Sequence, residues 1–170
     1  MNKTTVFICG IQADISSLLS SYFGKPVDVC KKKSGAPCLK GVKKHISVSH
    51  KRKCLVVAVS PYKVGVDVEV NDNKSTVFKI ADKYFAEKVE KDEYRRFYEL
   101  WTRKEAYGKL FEKGISKEIL ATDLSADSLV IDSEKTISFH SYDFKNYIIT
   151  CASMCSDVEF IVDKSSKIVK

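Results

Sequence analysis

The segment Val64-Gly65-Val66-Asp67-Val68-Glu69-Val70 decides how the rest of the chain is interpreted. Its valines occupy every second position, and strand side chains alternate between two faces, so the valines form an apolar face. Gly65, Asp67 and Glu69 share the other face. Two carboxylates on a rigid strand, beside a glycine that leaves room for an approaching group, suit a divalent cation that brings phosphate with it. Mg²⁺ is the natural candidate, and a surface strand with a solvated acidic face is the alternative.

Length and cysteine content set the first limits. The chain has 170 residues, enough for one domain or two small halves that share an interface. None of its six cysteines forms a CxxC pair, and Cys9, Cys54 and Cys151 lie in apolar, strand-like runs where a free thiol packs as a small hydrophobic group. We therefore expect a reducing, cytoplasmic location without a disulfide framework or a zinc site. The sequence shows neither a signal peptide nor a stretch of membrane-spanning length.

The formal charge of +7 indicates anionic partners without identifying them. Basic residues are densest over 25–53, which holds ten of them against the single acid Asp28. This segment is predicted to face an anion, and a solvated lysine-rich surface is the alternative.

The order of the predicted elements indicates an α+β fold. Alternation, helical periodicity and turn residues define each element. The predictions are a strand at 4–9, a helix at 13–23, a lysine-rich loop with at most short strands to 44, a three-strand meander at 45–48, 54–60 and 63–70, helices within 76–111, a polar linker after Gly114, and strands at 128–131, 136–142 and 147–153.

A second group of functional residues lies in Trp101-Thr102-Arg103-Lys104-Glu105-Ala106-Tyr107-Gly108-Lys109. On a helical period, Phe97 and Trp101 lie on the same stripe as Glu105 and Lys109. Because an aromatic stripe must be buried, Glu105 is predicted to face the interior or a cleft. The alternative is an ordinary exposed Glu–Lys pair four residues apart.

The third group is His45-Ile46-Ser47-Val48-Ser49-His50, at a strand end before the basic run 51–53. Ser49 and His50 offer hydroxyl and imidazole donors to a phosphate. Neighbouring strand residues point to opposite faces, so a catalytic Ser-His pair is a weaker interpretation.

Together these segments resemble the motifs of the 4'-phosphopantetheinyl transferases, specifically the surfactin-synthetase-activating type. That family pattern is a glycine-containing loop with proline, a Ser-His strand end, V/I-G-V/I-D-V/I-E, and W/F-S/T/C-x-K-E-A/S-x-x-K. The matching segments are Gly35-Ala36-Pro37, Ser49-His50, residues 64–69 and residues 101–109. The resemblance covers roughly residues 34–153. The order of motifs differs from that of the short, trimer-forming holo-acyl-carrier-protein synthases, which carry the acidic strand first.

The resemblance implies two similar halves, each a small antiparallel sheet packed with helices. The first half, residues 1–63, contains the phosphate-binding segment and is shorter than in full-length members. The second half, 64–170, carries the acidic strand and the W-x-x-K-E helix. Ala36 stands where members often have a lysine, so a lysine of 31–33 would have to replace that contact.

The resemblance also implies a reaction. The 4'-phosphopantetheine group of coenzyme A would pass to a serine of an acyl- or peptidyl-carrier protein, with Mg²⁺ bound and adenosine 3',5'-bisphosphate released. By the same resemblance the metal ligands are Asp67, Glu69 and Glu105, and the catalytic residues are Glu105, Lys109 and Asp67. The implied cofactor-binding residues are Ser49, His50, Lys104, Lys109 and Lys33, whereas Trp101 is assigned to packing.

We expect a monomer whose partners are coenzyme A and a carrier protein, without nucleic acid or membrane. The rival hypothesis is a non-catalytic basic α+β domain that binds coenzyme A or nucleic acid. Nucleic-acid binding favours aromatic residues interleaved with the lysines, and residues 25–53 contain none. An inactive relative is expected to have lost one of Asp67, Glu69, Glu105 or Lys109, and all four are present.

Overall fold

The computed structural model describes residues 3–133 and 135–163. The elements in this part of the chain are β1 (Thr4–Gly10), α1 (Ile15–Phe23), β2 (Asp28–Lys31), β3 (Pro37–Lys40), β4 (His45–Lys51), β5 (Cys54–Ser60), β6 (Val64–Val70), α2 (Thr76–Tyr84), α3 (Tyr94–Leu110), α4 (Lys117–Leu120), β7 (Ser128–Asp132), β8 (Lys135–Phe144), β9 (Tyr147–Ser153) and β10 (Val158–Val162). Among the described helices, none is both long and apolar enough to span a membrane.

Two four-stranded sheets follow the same path. The first has the strand order β10-β1-β5-β4 and the second β6-β9-β8-β7, while β2 and β3 form a separate hairpin. Each sheet begins with one strand, β1 or β6, and contains an antiparallel pair from later in the chain. The second strand of that pair lies beside the first strand of the sheet. The pair is β4 and β5 beside β1 in one half, and β8 and β9 beside β6 in the other. The predicted α+β fold with two similar halves is confirmed.

The valine face of β6 joins the two sheets. All four valines are at most 5% exposed, and they share a core with Val6 and Ile8 of β1 and Val56 of β5. Burying one such side chain contributes about 1.5–3 kcal/mol, so this shared core fixes the position of one half against the other.

A helix covers the outer face of each sheet. On the first sheet, Leu19 of α1 packs with Phe7 and Cys9 of β1. Asp14 accepts a hydrogen bond from the Ser17 N–H at the start of α1, and Gly24 ends the helix in a left-handed conformation (φ 64°). On the second sheet, α3 lies over β6 and β9. Strands covered on both faces are buried along their whole length, as β1, β5 and β9 are.

The predicted meander is wrong for its third strand. β4 and β5 pair as expected, but β5 already has β1 on its other edge. No edge of β5 remains for β6, which pairs with β9 in the second sheet instead. Two elements also appear where the sequence predicted none. Helix α4 forms in the polar linker, with Ser116 accepting a hydrogen bond from the Ile119 N–H, and β10 lies parallel to β1.

The division of the chain after residue 63 stays a prediction. Strand β10, which that division assigns to the second half, pairs with β1 at the edge of the first sheet.

The cysteines only partly follow the prediction. Cys9, Cys54 and Cys151 are buried free thiols, as their apolar neighbours indicated. Cys30 and Cys38 lie directly opposite each other in the β2–β3 hairpin. Their Cα atoms are 5.0 Å apart and their sulfurs form a disulfide. The expectation of no disulfide is therefore wrong at this pair, because cross-strand register places two cysteines together that no short sequence motif connects.

Candidate active site

Asp67 is the centre of a polar cluster at the boundary between the halves. Its side chain lies on the acidic face of β6, and the residue is only 4% exposed. One oxygen, Oδ1, accepts hydrogen bonds from Ser49 Oγ of β4 at 2.8 Å and from Lys109 Nζ of α3 at 2.7 Å. Lys109 also donates to Ser49 Oγ at 2.9 Å. The cluster therefore connects the first sheet, the second sheet and the helix.

The other carboxylate oxygen of Asp67, Oδ2, is buried without a hydrogen-bond partner among the described residues. Burial raises the pKa of Asp67, although Lys109 and Ser49 favour its charged form. An unpartnered oxygen on a buried carboxylate is costly unless a cation or a proton satisfies it.

Helix α3 reaches the acidic face of β6 because residue 65 is glycine. A Cβ atom added to Gly65 would lie 1.9 Å from the Ala106 carbonyl oxygen and 2.6 Å from the Leu110 nitrogen. The space beside the carboxylates, which the sequence assigned to an approaching ligand, is filled at Gly65 by the helix backbone. This contact brings Glu105 and Lys109 to the strand.

Glu105 is half-buried and faces the cleft, as the aromatic stripe predicted. Burial raises its pKa, with the charges of Asp67 and Glu69 acting in the same direction and Lys109 and Lys51 opposing them. The cavity in front of it has a volume of about 310 Å³ and is lined by Val48, Ser49, His50, Lys51, Asp67, Val68, Glu69, Glu105 and Lys109. The predicted metal ligands thus lie around one cavity.

A lysine forms an ion pair with Glu69 in the lining of this cavity. Lys51 Nζ, at the end of β4, lies 2.7 Å from Glu69 Oε2. Together with the Lys109–Asp67 pair, this contact places an ammonium group on two of the three carboxylates.

The donor set fits a magnesium ion. Within 3–133 and 135–163, no three histidine, cysteine or acidic side chains converge in metal-binding geometry. Asp67 and Glu69 each contact a lysine ammonium group instead. Carboxylate oxygens are the ligands that Mg²⁺ prefers, and Asp67 Oδ2 is a buried carboxylate oxygen with no hydrogen-bond partner among the described residues. Asp67, Glu69 and Glu105 are therefore the residues that could hold the ion.

A second cavity of about 410 Å³ adjoins the first, and Val48 and Lys109 line both. Its basic lining residues are Lys32, Lys44, His45, Lys63 and Lys109. Across this cavity Lys32 forms an ion pair with Glu112, which also accepts a hydrogen bond from Ser34 Oγ at 3.0 Å. These two contacts connect the β2–β3 hairpin to the turn after α3.

Lys104, one of the predicted cofactor-binding residues, lies elsewhere. Its side chain is fully buried, and Nζ contacts Glu87 at 2.7 and 3.0 Å and the Thr122 carbonyl at 2.7 Å. Burial lowers the pKa of Lys104, against the effect of Glu87. The ammonium has three partners and no exposed surface for a phosphate, so its predicted cofactor role is corrected to a structural one.

Two other predicted residues lie at the edges of the site. His50 is exposed and lines the 310 Å³ cavity. Lys33 is exposed in the β2–β3 turn and does not line the basic cavity, whereas its neighbour Lys32 does. The Trp101 ring stacks on Phe97 at 5.8 Å within the cluster under α2, in agreement with its assignment to packing.

Sequence reasoning missed Lys63 and Glu112 as site residues, and it included Lys51 only as part of the basic segment predicted to face an anion. Their positions depend on which sheet β6 joins and on the turn after α3, where Glu112 adopts a positive φ of 57°. The available signal was the basic run 51–53 directly after Ser49-His50.

Comparisons with known proteins identify the family of the chain. The model of the 4'-phosphopantetheinyl transferase superfamily matches residues 63–154, which include β6 and α3. A curated relative, 4'-phosphopantetheinyl transferase gsp of Aneurinibacillus migulanus, is 29% identical over 128 residues. The match covers 67% of this chain and 53% of the relative, so the chain aligns with about half the length of that protein.

Proposed function

The chain belongs to the 4'-phosphopantetheinyl transferase superfamily, and from this premise we propose that it modifies carrier proteins. The reaction is transfer of the 4'-phosphopantetheine group of coenzyme A to a serine of an acyl- or peptidyl-carrier protein, with Mg²⁺ bound and adenosine 3',5'-bisphosphate released.

The observation that carries this proposal is the position of the carboxylates. Asp67, Glu69 and Glu105 surround one cavity, and Lys109 connects it to the larger basic cavity beside it. A pyrophosphate needs positive charge on both sides, and a nucleophilic hydroxyl needs a base nearby. The two adjoining cavities offer both.

Asp67, Glu69 and Glu105 would hold the magnesium ion. When bound, the ion would neutralise the charge that develops on the pyrophosphate as its bond breaks. The unpartnered Oδ2 of Asp67 supports this assignment, because it is a buried oxygen that a cation satisfies.

Glu105 is the proposed general base. It would take the proton from the carrier serine, directly or through a water, as the serine oxygen forms its bond to the β-phosphorus of coenzyme A. The bond between that phosphorus and the bridging oxygen breaks, and its electron pair leaves with adenosine 3',5'-bisphosphate. A raised pKa suits this role, since it makes the Glu105 carboxylate a stronger base.

Lys109 would steady the pyrophosphate and the departing nucleotide. Its ammonium lies where the two cavities meet, 28% exposed and held by Asp67 and Ser49. The remaining phosphate of the nucleotide fits the basic cavity, where Lys32 takes the place that the sequence assigned to Lys33. Ser49 and His50 remain proposed phosphate donors on the first-half side.

We also propose that the protein acts as a cytoplasmic monomer. One chain supplies both sides of the site, with Ser49 and Lys51 from the first sheet facing Asp67 and Lys109 from the second half. A second copy is therefore not needed to complete it.

Mass spectrometry of an apo carrier protein tests this function. Incubation with coenzyme A, Mg²⁺ and this protein should add one phosphopantetheine group to the carrier. Excess chelator, or the substitution Asp67→Ala in a protein that remains folded, should abolish the added mass. Undiminished transfer by Asp67→Ala would contradict the metal assignment, and no modification of any fatty-acid, polyketide or peptide-synthetase carrier would contradict the function.

A further inference from the structure

Lys51 and Lys109 hold the carboxylates of the site in different ways. Lys109 extends from the middle of the second half, is 28% exposed, and has two partners, Asp67 and Ser49. Lys51 stands at the last position of β4 with its side chain 43% exposed, and Glu69 is its single ion-pair partner among the described residues. Of the two contacts, the one made by Lys51 is easier to break.

The position of Lys51 gives its ammonium room to move. It lines the 310 Å³ cavity together with Asp67 and Glu105, and, like Glu69, it also lines a smaller cavity of about 150 Å³. The next residue, Arg52, adopts a positive φ of 52° in the turn to β5. A long, flexible side chain at a strand end can therefore leave Glu69 without disturbing the sheet.

The charges in the cavity show what such a movement achieves. Three carboxylates and two ammonium groups line it, so the formal net charge of these groups is −1. A bound divalent cation would change this net charge to +1. A cation that takes Glu69 as a ligand displaces the Lys51 ammonium, which then needs a new anionic partner nearby. A pyrophosphate bound to the same cation is such a partner.

We infer that Lys51 is an exchangeable counter-ion that makes binding of the divalent cation and of the pyrophosphate mutually dependent. Without the pyrophosphate, Lys51 competes with the cation for Glu69. With the pyrophosphate, Lys51 binds the anion and leaves Glu69 to the cation. This inference rests on the proposed function, since it takes the metal ligands and coenzyme A from there.

Mn²⁺ binding measured by electron paramagnetic resonance tests the inference without a turnover assay. The free Mn²⁺ signal is titrated for the wild type, Lys51→Met and Lys51→Arg, with and without coenzyme A, and protein-free blanks correct for chelation by coenzyme A. Lys40→Met is the matched control, because it removes the same charge from an exposed strand end that lines none of the described cavities. Thermal unfolding verifies that each variant is folded.

Without coenzyme A, Lys51→Met should bind Mn²⁺ about threefold to tenfold more tightly than the wild type, because Glu69 is no longer neutralised. Addition of coenzyme A should tighten Mn²⁺ binding by the wild type and by Lys51→Arg more than binding by Lys51→Met. Lys40→Met should match the wild type in both conditions.

Two results would overturn the inference, and they have different consequences. If the wild type binds Mn²⁺ and Lys51→Met behaves identically in both conditions, the exchange is wrong and the proposed function is unaffected. If the wild type binds no Mn²⁺ even with coenzyme A, the metal site of the proposed function is wrong and the inference fails with it.

Discussion

A single methyl group at residue 65 should separate the acidic strand from the helix that carries Glu105. In the substitution Gly65→Ala the new Cβ would lie 1.9 Å from the Ala106 carbonyl oxygen, where an ordinary contact begins at 3.4 Å. The shortfall is 1.5 Å, and the contacting atoms are helix backbone, which cannot rotate away as a side chain can. Helix α3 must therefore move away from β6.

This displacement has two measurable consequences. Overpacking of this kind typically costs about 1–3 kcal/mol, which corresponds to a fall in melting temperature of about 2–12 °C for a protein of this size. A misplacement of about 1 Å at reacting groups can reduce the rate about 100-fold. Because Glu105 and Lys109 move with the helix while Asp67 stays on the strand, both Mn²⁺ affinity and transfer should fall.

Differential scanning calorimetry, Mn²⁺ titration and the transfer assay measure these effects separately. Gly10→Ala, at the end of β1, is the matched control, since the three heavy atoms nearest to its new Cβ all belong to the end of the Gln12 side chain. That flexible chain can move, so the melting temperature should change by less than about 2 °C. A Gly65→Ala protein with wild-type melting temperature and Mn²⁺ affinity would refute the close contact between β6 and α3.

Four further predictions follow from the site and its supports. Glu105→Gln should lower kcat by about 10²–10⁴, a much larger factor than the loss of coenzyme A affinity measured by calorimetry. Because burial raises the pKa of Glu105 and only its deprotonated form accepts a proton, wild-type kcat should fall as pH drops through that pKa; equal losses of kcat and affinity in the variant would contradict the role. Lys104→Met should lose about 3–5 kcal/mol in urea unfolding, because the buried Glu87 carboxylate loses its counter-charge and keeps the hydrogen bond from the Leu124 N–H, and adding Glu87→Leu should restore most of it. If the double variant regains its stability but binds coenzyme A with a different affinity, Lys104 has the cofactor-binding role that the sequence predicted. Replacing Cys30 and Cys38 by serine should lower the unfolding free energy by about 2.5 kcal/mol for so short a loop, whereas alkylation of all six cysteines in protein unfolded without a reductant would disprove the disulfide. Transfer to an acidic carrier should slow with ionic strength, as the net charge of +7 is screened beyond about 10 Å at 0.1 M salt; a salt-independent kcat/KM for the carrier would exclude electrostatic steering.

Alternation in residues 64–70 predicted the faces of β6 correctly but not what covers them. The pattern separates valines from carboxylates, and this separation is seen in the structure. It cannot show that both faces are covered, because a carboxylate looks the same in the sequence whether it meets water or a helix. Gly65 was the one residue of the strand that indicated a close neighbour on the carboxylate face. The sequence analysis assigned that space to a ligand, whereas the structure fills it with the backbone of α3.

Helical periodicity predicted Glu105 and Lys109 better than Lys104. Residues four apart share a face, so the first two reach the same cavity. Lys104 is rotated by about 100° from Glu105 and points to the other side of the helix. Its partner Glu87 lies 17 residues away in a loop, a contact that no periodicity within α3 can reveal.

The basic segment 25–53 was predicted as a unit, and the structure divides it. The β2–β3 hairpin orients Lys32 into the cavity and leaves Lys33 outside, since neighbouring residues of a tight turn point in different directions. Lys51 reaches Glu69 because β4 packs beside β6 without pairing with it. Both outcomes depend on tertiary contacts, so charge density alone could indicate only that an anion site was near.

Because β1 pairs with β10, one edge of β1 stays unpaired until late in the synthesis of the protein. Strand β1 leaves the ribosome well before β10, because Val158, the partner of Thr4, is added 154 residues after it. At roughly 5–20 residues per second, one edge of β1 waits roughly 8–30 s for its neighbour. An open edge is a template for pairing with another chain, so the nascent protein is exposed to aggregation during this interval. A shortened version that stops before residue 158 would keep that edge open permanently, even though every residue of the site is present.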